Sequence, residues 1–161
     1  MMRGVDVVEL RAEDTHPLRR AVLRDHLPAG DAGARDVDYA SDRVPGSFHL
    51  GVRDAAGRPI AIASFTPEPS GDRPGRRAMR LLGMAVEPGT RGAGLGRAIV
   101  DAALARLRAD GVEVCWANAR SSALGFYERL GFSVVGDEFE RVGLPHRIVL
   151  IELDPPPAVG R

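Results

Sequence analysis

The chain has 161 residues, no net formal charge, 44 % hydrophobic and 27 % charged residues, values typical of one soluble globular domain. The balanced charge argues against a dedicated nucleic-acid or anionic-membrane binder, and no apolar run approaches the roughly 20 residues of a membrane span. All 22 basic residues are arginines, which excludes lysine Schiff-base chemistry and the lysine of a Walker phosphate loop.

The first half of the chain predicts a strand, a helix and a β-hairpin. The start lacks the basic-then-apolar layout of a signal peptide, so we expect a cytoplasmic protein. Apolar residues at helical spacing follow a cap at Asp14 or Thr15, and two strand-like runs flank a turn-forming segment at 54–58. The expected bounds are a strand at residues 5–10, a helix to about His26, a loop or short irregular helix at 29–45, strands at 47–53 and 59–65, and an exposed loop at 66–77.

The second half alternates strands with helices. Residues 79–86 are almost wholly apolar, which predicts a central strand buried on both faces. Apolar stripes predict two helices that end at Gly111 and Gly131. The single cysteine, Cys115, excludes an internal disulfide and a multi-cysteine zinc site, so we expect no metal. The expected bounds are helices at 95–110 and from Ser121 or Ser122 through Leu130, strands at 112–117, 132–135 and 146–153 with a polar loop between the last two, and a disordered proline-rich tail at 154–161.

This order of elements predicts a mixed α/β fold. The strand-helix-strand unit at 79–117 needs a right-handed crossover and therefore a parallel pair of strands. The hairpins on either side should be antiparallel. We expect a single domain over residues 1–153, with a mixed, mostly antiparallel central sheet and helices on both faces.

A glycine-rich segment, Arg91-Gly92-Ala93-Gly94-Leu95-Gly96-Arg97, connects the apolar strand to a helix. Three alternate glycines remove Cβ atoms where a ligand can approach the backbone, and the first N–H groups of the helix favour an anion such as a pyrophosphate. A dinucleotide fingerprint fails because Arg97 stands where its third glycine is needed. From the glycines alone, an anion cradle and a turn that merely connects two elements are both open.

The same segment resembles the pattern Arg/Gln-x-x-Gly-x-Gly/Ala of the GNAT superfamily of N-acetyltransferases, with Arg91, Gly94 and Gly96 in the defining places. Residues 123–132, Ala-Leu-Gly-Phe-Tyr-Glu-Arg-Leu-Gly-Phe, resemble the second signature of that family. The flanking strands and the N-terminal helix fit the same order. The resemblance, closest to small bacterial members, implies the GNAT fold, in which strands four and five form a parallel pair that splays apart.

The resemblance also implies a reaction. Acetyl-CoA donates its acetyl group to a primary amine of a small molecule, a protein or a peptide, which attacks the thioester directly in a ternary complex. Tyr127 is the implied general acid for the thiolate, with a core aromatic as the alternative. His49 and His146 are candidate general bases, as are Glu87 and Glu113, and a structural role for each or a water chain is the alternative. The cofactor-binding residues implied are Met84, Ala85, Val86, Arg91, Gly92, Ala93, Gly94, Leu95, Gly96 and Arg97.

Several questions stay open in the sequence. Arg120 stands where several branches of the family carry an asparagine that touches CoA, so it reaches either a cofactor phosphate or a substrate carboxylate instead. A CoA-binding regulatory or interaction module with weak catalysis is the alternative function, and transfer of a longer acyl group is a third. A homodimer is a candidate assembly. The first loop either attracts a cationic amine or is simply solvated through its acidic residues Asp31, Asp36, Asp38 and Asp42.

Overall fold

In this computed structural model the described residues are 4–27 and 37–154, and they form seven strands and three α-helices. The strands are β1 Val8–Leu10, β2 Phe48–Arg53, β3 Pro59–Pro67, β4 Ala78–Val86, β5 Val114–Arg120, β6 Ser133–Arg141 and β7 Leu144–Glu152. The helices are α1 Ala12–Leu18, α2 Leu95–Ala109 and α3 Leu124–Arg129. The strand order is β1-β2-β3-β4-β5-β7-β6, and β4 with β5 is the parallel pair. The predicted mixed, mostly antiparallel sheet is confirmed.

The chain divides into two compact units that are built from interleaved segments. The first unit comprises Met1–Thr66 and Leu82–Ala102, and the second comprises Pro67–Leu81 and Ala103–Arg161. Strand β4 and helix α2 contribute residues to both units. The single domain expected over residues 1–153 stays a prediction. Residues 28–36 of the first loop and residues 155–161 of the expected tail lie outside the described part of the chain.

In the first unit, β1, β2 and β3 form an antiparallel sheet. The Asp54 carboxylate fixes the turn between β2 and β3 by accepting hydrogen bonds from the backbone N–H groups of Ala56 and Arg58, at 3.0 and 2.9 Å. Such a side-chain turn is typical of aspartate, and the predicted hairpin is confirmed. The apolar core of this unit contains Leu10, Leu18, Val22, Ile62 and Ala85.

The N-terminal helix differs from its prediction at both ends. It begins at Ala12 because the carboxylate of Asp14 accepts a hydrogen bond from the backbone N–H of Arg11 at 2.9 Å, so Asp14 caps the helix from within its first turn. After Leu18 the chain continues as a π-helical segment, Arg19–Leu23. Departures of this kind from α-helical geometry are frequent at functional sites, and here the segment contains the fully buried Arg19.

In the second unit, β5, β7 and β6 form an antiparallel sheet. The parallel pairing of β4 with β5 has three registered residue pairs, Ala78–Val114 through Arg80–Trp116, although both strands continue beyond them. The apolar core of this unit contains Ala78, Val114, Trp116 and Leu150. Cys115 is fully buried, and burial raises the pKa of its thiol to about 12, which makes it an inert small hydrophobe.

Helix α3 ends as its sequence predicts. Gly131 adopts φ +97°, a left-handed conformation that glycine tolerates best. The backbone N–H of Phe132 donates to the carbonyl of Tyr127 at 3.1 Å, and Gly131 donates to Glu128 at 3.0 Å. This is the Schellman arrangement that commonly ends helices.

The predicted burial of β4 and the predicted loop before residue 146 are wrong. Strand β4 is not buried throughout, because residues 82–84 and 86 are half-buried and Gly83 turns left-handed at φ +64°. The polar loop expected before residue 146 is a hairpin instead. Strand β6 runs to Arg141, β7 starts at Leu144, and the turn between them is Val142 and Gly143 at φ +54° and +75°.

Candidate active site

A short 3₁₀ turn, Pro88–Thr90, connects the end of β4 to the glycine-rich segment, which leads into α2. Gly92 and Gly94 adopt φ +90° and +77°, where a side chain is strained. A Cβ added at either glycine would meet no described atom within 4 Å, so the outer side of this turn is open. The first i−4 hydrogen bond of α2 joins Ala98 N–H to the Gly94 carbonyl at 3.0 Å. The preceding N–H groups of the helix therefore have no intrahelical acceptor, namely those of Leu95, Gly96 and Arg97.

Two predicted arginines flank this turn and use their side chains differently. The Nε of Arg91 donates to the backbone carbonyl of Val86 at 3.2 Å, which ties the segment to the end of β4. The Nε of Arg97 lies 3.7 Å from Oδ2 of Asp101, and both side chains are exposed. An exposed pair of this kind contributes about 0–1 kcal/mol, so little opposes reorientation of Arg97 toward an anion.

The two glutamates considered as bases are both engaged by arginines. Arg58 donates two hydrogen bonds to Glu87, from Nη1 to Oε1 at 2.8 Å and from Nη2 to Oε2 at 3.1 Å. Glu113 accepts from the backbone N–H of Arg77 at 3.1 Å and from Nε of Arg76 at 2.9 Å. The backbone hydrogen bond, followed by Arg76, lowers the pKa of Glu113. A carboxylate held in this way is a weak base for an ammonium proton.

Strand β4 changes conformation at Gly83, immediately before the residues predicted to contact pantetheine, 84–86. A Cβ at Gly83 would lie 3.3 Å from Nε of Arg19 and 3.4 Å from Cε2 of Tyr39. The left-handed φ and the crowded position both require glycine here. The bend in β4 is therefore packed directly against Arg19 and Tyr39.

Arg19 is the centre of a buried polar cluster. Its guanidinium forms a two-pronged pair with Asp42, Nη1 to Oδ2 at 2.8 Å and Nη2 to Oδ1 at 3.0 Å. Nη1 also donates to the backbone carbonyl of Val37, and Nη2 to Oγ of Ser64, each at 2.8 Å. The Cζ atom lies 3.9 Å from the centre of the Tyr39 ring, a cation–π contact. We name Arg19, Tyr39, Asp42, His49 and Ser64 the Arg19 cluster.

The pairing of Asp42 changes the interpretation of the acidic loop. Burial alone would raise the pKa of Asp42, but the hydrogen bonds and charge of Arg19 outweigh it and hold that pKa below its ordinary value. Asp38 pairs with Arg43 at 2.6 Å. Asp42 is therefore matched by Arg19 and is a poor attractor for a cationic amine, whereas the exposed pair of Asp38 with Arg43 contributes only about 0–1 kcal/mol. Asp31 and Asp36 lie outside the described residues.

His49, on β2, belongs to the same cluster. Its Nδ1 lies 2.7 Å from Oγ of Ser64, and its Nε2 lies 3.9 Å from Oδ1 of Asp42. Burial lowers the pKa of His49 by more than Asp42 raises it, so the ring is neutral at pH 7. A neutral ring is what a base requires, but both of its nitrogens face protein groups. Its role as base stays a prediction.

The lowered pKa of His49 predicts a dependence of stability on pH. In the unfolded chain the ring has an ordinary pKa of about 6.5, so on acidification the unfolded state takes up a proton that the folded state resists. The stability that the neutral ring confers is present above about pH 6.5 and is lost as the pH falls below it. Denaturant unfolding between about pH 5 and pH 8 should show a smaller acid loss for His49→Gln than for wild type. The exposed His26 gives the control His26→Gln, which should follow wild type; equal pH slopes in all three proteins would contradict the assignment.

Tyr127 lies on α3 and is 5 % exposed. Its ring packs edge-on against Phe126 and Phe132, with centroids 5.2 and 5.4 Å away. Burial, followed by the nearby Cys115, raises the pKa of Tyr127, so the phenol stays protonated at neutral pH. Among the described residues no partner hydrogen-bonds to its hydroxyl, which leaves that proton available to a ligand.

His146, the second candidate base, lies on β7. It is buried, stacks on Phe139 with ring centroids 6.0 Å apart, and stands opposite Arg120 in the pairing of β5 with β7. Its Nδ1 lies 2.8 Å from the carbonyl of Leu144. Because a carbonyl only accepts, Nδ1 carries a hydrogen, and the lone pair of the neutral ring is on Nε2.

Similarity to known proteins decides the family. The family described as "Acetyltransferase (GNAT) domain" matches residues 50–148. An uncharacterized N-acetyltransferase of Bacillus subtilis strain 168, YitI, is 34 % identical over 146 residues, which cover 91 % of this chain and 94 % of YitI. The chain belongs to the GNAT acetyltransferase family. The resemblance expected from the two sequence signatures is confirmed.

Solved structures share the fold of this acetyltransferase. An aminoglycoside 6′-N-acetyltransferase complexed with coenzyme A superposes with a TM-score of 0.71 at 15 % identity, over 94 % of this chain and 99 % of the other. Escherichia coli ElaA superposes with a TM-score of 0.69 at 18 % identity, over 91 % and 99 %. At these identities the likeness concerns the fold alone.

The predicted site residues of this GNAT acetyltransferase fall into both units. Residues 84–97 and His49 belong to the first, whereas Tyr127 and His146 belong to the second. Sequence reasoning missed the cluster around Arg19. One signal was present, because Arg19 stands three residues before the buried Val22 on one face of a helix, where a charged residue is rare unless it is paired.

Proposed function

We propose that this GNAT acetyltransferase transfers the acetyl group of acetyl-CoA to a primary amine of a small molecule, a protein or a peptide, by direct attack in a ternary complex. The observation that carries the proposal is the open, left-handed turn of Gly92 and Gly94 at the start of α2. Such a turn suits the pyrophosphate of CoA because helix N–H groups and an unobstructed backbone meet there. The coenzyme A complex of a structural neighbour supports the same donor.

The donor is held mainly by backbone groups in this proposal. The end of β4 pairs with the pantetheine arm, and the N–H groups of the glycine-rich segment bind the pyrophosphate, with charge added by the flanking arginines. No metal takes part. The residues given this role are Met84, Ala85, Val86, Arg91, Gly92, Ala93, Gly94, Leu95, Gly96 and Arg97.

The reaction exchanges one bond for another. The amine nitrogen, after losing a proton, attacks the thioester carbon and forms the C–N bond, while a backbone N–H near Val86 stabilises the oxyanion. The C–S bond then breaks, and Tyr127 donates its phenolic proton to the departing thiolate. His49, His146 and a water chain remain the candidates for accepting the ammonium proton.

Replacing Gly94 by alanine should weaken acetyl-CoA binding. A side chain at φ +77° strains the turn by about 1–2 kcal/mol, and its methyl group occupies the open side on which the pyrophosphate would lie. We expect the dissociation constant of acetyl-CoA to rise at least about tenfold, which corresponds to the loss of one charge-assisted hydrogen bond. Isothermal titration calorimetry measures it.

Gly57 provides a matched control. It adopts φ +86° in the β2–β3 turn, and a Cβ there also meets no described atom within 4 Å. Gly57→Ala should therefore cost a similar free energy of unfolding and leave acetyl-CoA affinity unchanged. If Gly94→Ala and Gly57→Ala bind acetyl-CoA with equal affinity, the glycine-rich segment is not part of the donor site.

Turnover is tested by thiol release from acetyl-CoA across a panel of primary amines. Release that depends on the amine, with an acetylated product in the mass spectrum, supports the proposal. Tight acetyl-CoA binding without release on any amine would favour the alternative, a CoA-binding regulatory or interaction module.

The remaining expectations concern partners and location. No helix in the described part of the chain has the length and apolar character needed to cross a membrane. A cytoplasmic location, the absence of nucleic-acid and membrane partners, and a homodimer remain predictions.

A further inference from the structure

A second arginine, Arg24, also contacts Tyr39, with its Cζ atom 5.9 Å from the centre of the ring. Arg24 follows the π-helical segment, and its Nη2 donates to the hydroxyl of Tyr39 at 3.5 Å. Its Nη1 donates to the backbone carbonyl of Leu23 at 3.2 Å, and its Nε is buried without a hydrogen-bond partner. Among the described residues, this half-buried guanidinium therefore has a donor capacity that is only partly used.

The charge of Arg24 is uncompensated within the described ranges 4–27 and 37–154. No carboxylate there forms an ion pair with it, and the acids of the neighbouring segment are already used, Asp42 by Arg19 and Asp38 by Arg43. A partly desolvated cation without a partner carries a free-energy cost. That cost is relieved when an anion binds, so the position favours one.

Tyr39 connects Arg24 to the donor end of the site. The Cε2 atom of Tyr39 lies 3.4 Å from the position of a Cβ on Gly83, and Gly83 directly precedes the residues 84–86 that the proposed function gives to the pantetheine arm. Tyr39 therefore packs against β4 at Gly83, and Arg24 in turn contacts Tyr39.

We propose that Arg24, together with the hydroxyl of Tyr39, binds an anionic group of the acceptor, either a carboxylate or a phosphate. The inference rests on the proposed function and names its substrate class, a primary amine that also carries an anion, such as an amino acid or an aminoalkyl phosphate. The planar fork of arginine matches both anions. The Tyr39 hydroxyl accepts from Arg24 and has its own hydrogen left to donate.

Equilibrium binding tests the site independently of turnover. Three probes of similar size are titrated into the CoA-bound protein: β-alanine with a carboxylate, O-phosphoethanolamine with a phosphate, and propylamine with neither. We expect at least one anionic probe to bind tenfold or more tightly than propylamine, the scale of a charge-assisted hydrogen bond. The tighter of the two identifies the anion.

Two arginine variants decide which side chain is responsible. Arg24→Met should abolish the preference, and Arg24→Lys should keep only part of it because lysine lacks the fork. The exposed neighbour Arg20 provides the control Arg20→Met, which should behave as wild type. Circular dichroism and the unfolding midpoint establish that each variant is folded, and Arg24→Lys replaces Arg24→Met as the deciding variant if the latter unfolds.

The outcomes separate this inference from the proposed function. Equal binding of all three probes, or a preference that survives in Arg24→Met, overturns the anion site even when acetyl transfer is normal. Absence of thiol release on any amine overturns the proposed function, whereas an anion preference of the CoA-bound protein that depends on Arg24 would still stand.

Discussion

Replacing Arg19 by methionine is expected to lower the free energy of unfolding by about 3–5 kcal/mol. The side chain of Asp42 is only 3 % exposed and faces the guanidinium through two hydrogen bonds. Without Arg19, a buried carboxylate has no counter-ion and must either take up a proton or draw water into the fold. Methionine fills most of the volume, so the loss reports charge and hydrogen bonds rather than a cavity. Urea unfolding at neutral pH measures it.

An exposed ion pair in the same unit provides the control for this loss of stability. Arg53→Met removes a pair with Asp14 at 3.4 Å in which the arginine side chain is 37 % exposed, and should cost about 0–1 kcal/mol. The double variant Arg19→Met/Asp42→Asn should regain part of the loss, because it removes the stranded charge together with its partner. A loss for Arg19→Met as small as that for Arg53→Met would mean that the cluster does not stabilise the fold.

We expect Arg19→Met to weaken the binding of acetyl-CoA as well. Nε of Arg19 lies 3.3 Å from where a Cβ of Gly83 would be, so its removal loosens the support of the bend in β4. We expect a higher KM for acetyl-CoA in Arg19→Met, while Arg53→Met leaves KM unchanged. We therefore expect the Arg19 cluster to affect two quantities, the free energy of unfolding of the first unit and the binding of acetyl-CoA by the backbone of β4.

The parts of the site that the sequence predicts are those whose cause is local. The glycine-rich connection, the helix that starts after it and the helix end at Gly131 each depend on residues a few positions apart. The β2–β3 hairpin likewise follows from Asp54 and Gly57 within one turn. Short-range rules for glycine, caps and turns are sufficient for such features.

The Arg19 cluster has no local cause, and the sequence does not reveal it. The partners of Arg19 are 18, 23 and 45 residues away, at Val37, Asp42 and Ser64. Asp42 stands in a glycine- and aspartate-rich stretch, where a solvated or substrate-facing acid is the natural expectation. The pairing becomes visible only when the π-helical segment, β3 and the 3₁₀ turn at Ala40–Arg43 are brought together by the fold.

The errors at β4 and at the β6–β7 hairpin have similar physical reasons. An unbroken buried strand is suggested by the apolar run Leu81-Leu82-Gly83-Met84. A single glycine within a strand does not show from the sequence whether its φ is positive or negative. The β6–β7 hairpin is hidden because its outer strand is polar and exposed, and because its turn places Val142 at φ +54°. A β-branched residue is uncommon in that conformation, so Val142-Gly143 carries no recognisable turn signal.

Replacing Tyr127 by phenylalanine is expected to lower kcat at least about tenfold, within the range of a positioned proton donor. The substitution keeps the ring against Phe126 and Phe132 and removes the hydroxyl alone. Acetyl-CoA affinity should stay within about twofold, because the proposed donor contacts lie in residues 84–97. Steady-state kinetics with a saturating amine, together with calorimetric binding of acetyl-CoA, separate the two quantities.

Stability distinguishes a chemical role of Tyr127 from a structural one. Within the described residues its hydroxyl has no hydrogen-bond partner, and burial raises its pKa, so losing the hydroxyl should leave the free energy of unfolding unchanged or slightly higher. Phe132→Leu is the packing control, since it should destabilise the fold by about 1 kcal/mol without a selective loss of kcat. A Tyr127→Phe enzyme with wild-type kcat would remove the phenol from the mechanism and leave the thiolate to be protonated by solvent.

The raised pKa of Tyr127 adds a second criterion, because a fall of kcat between about pH 7 and pH 9 would then belong to a group other than Tyr127.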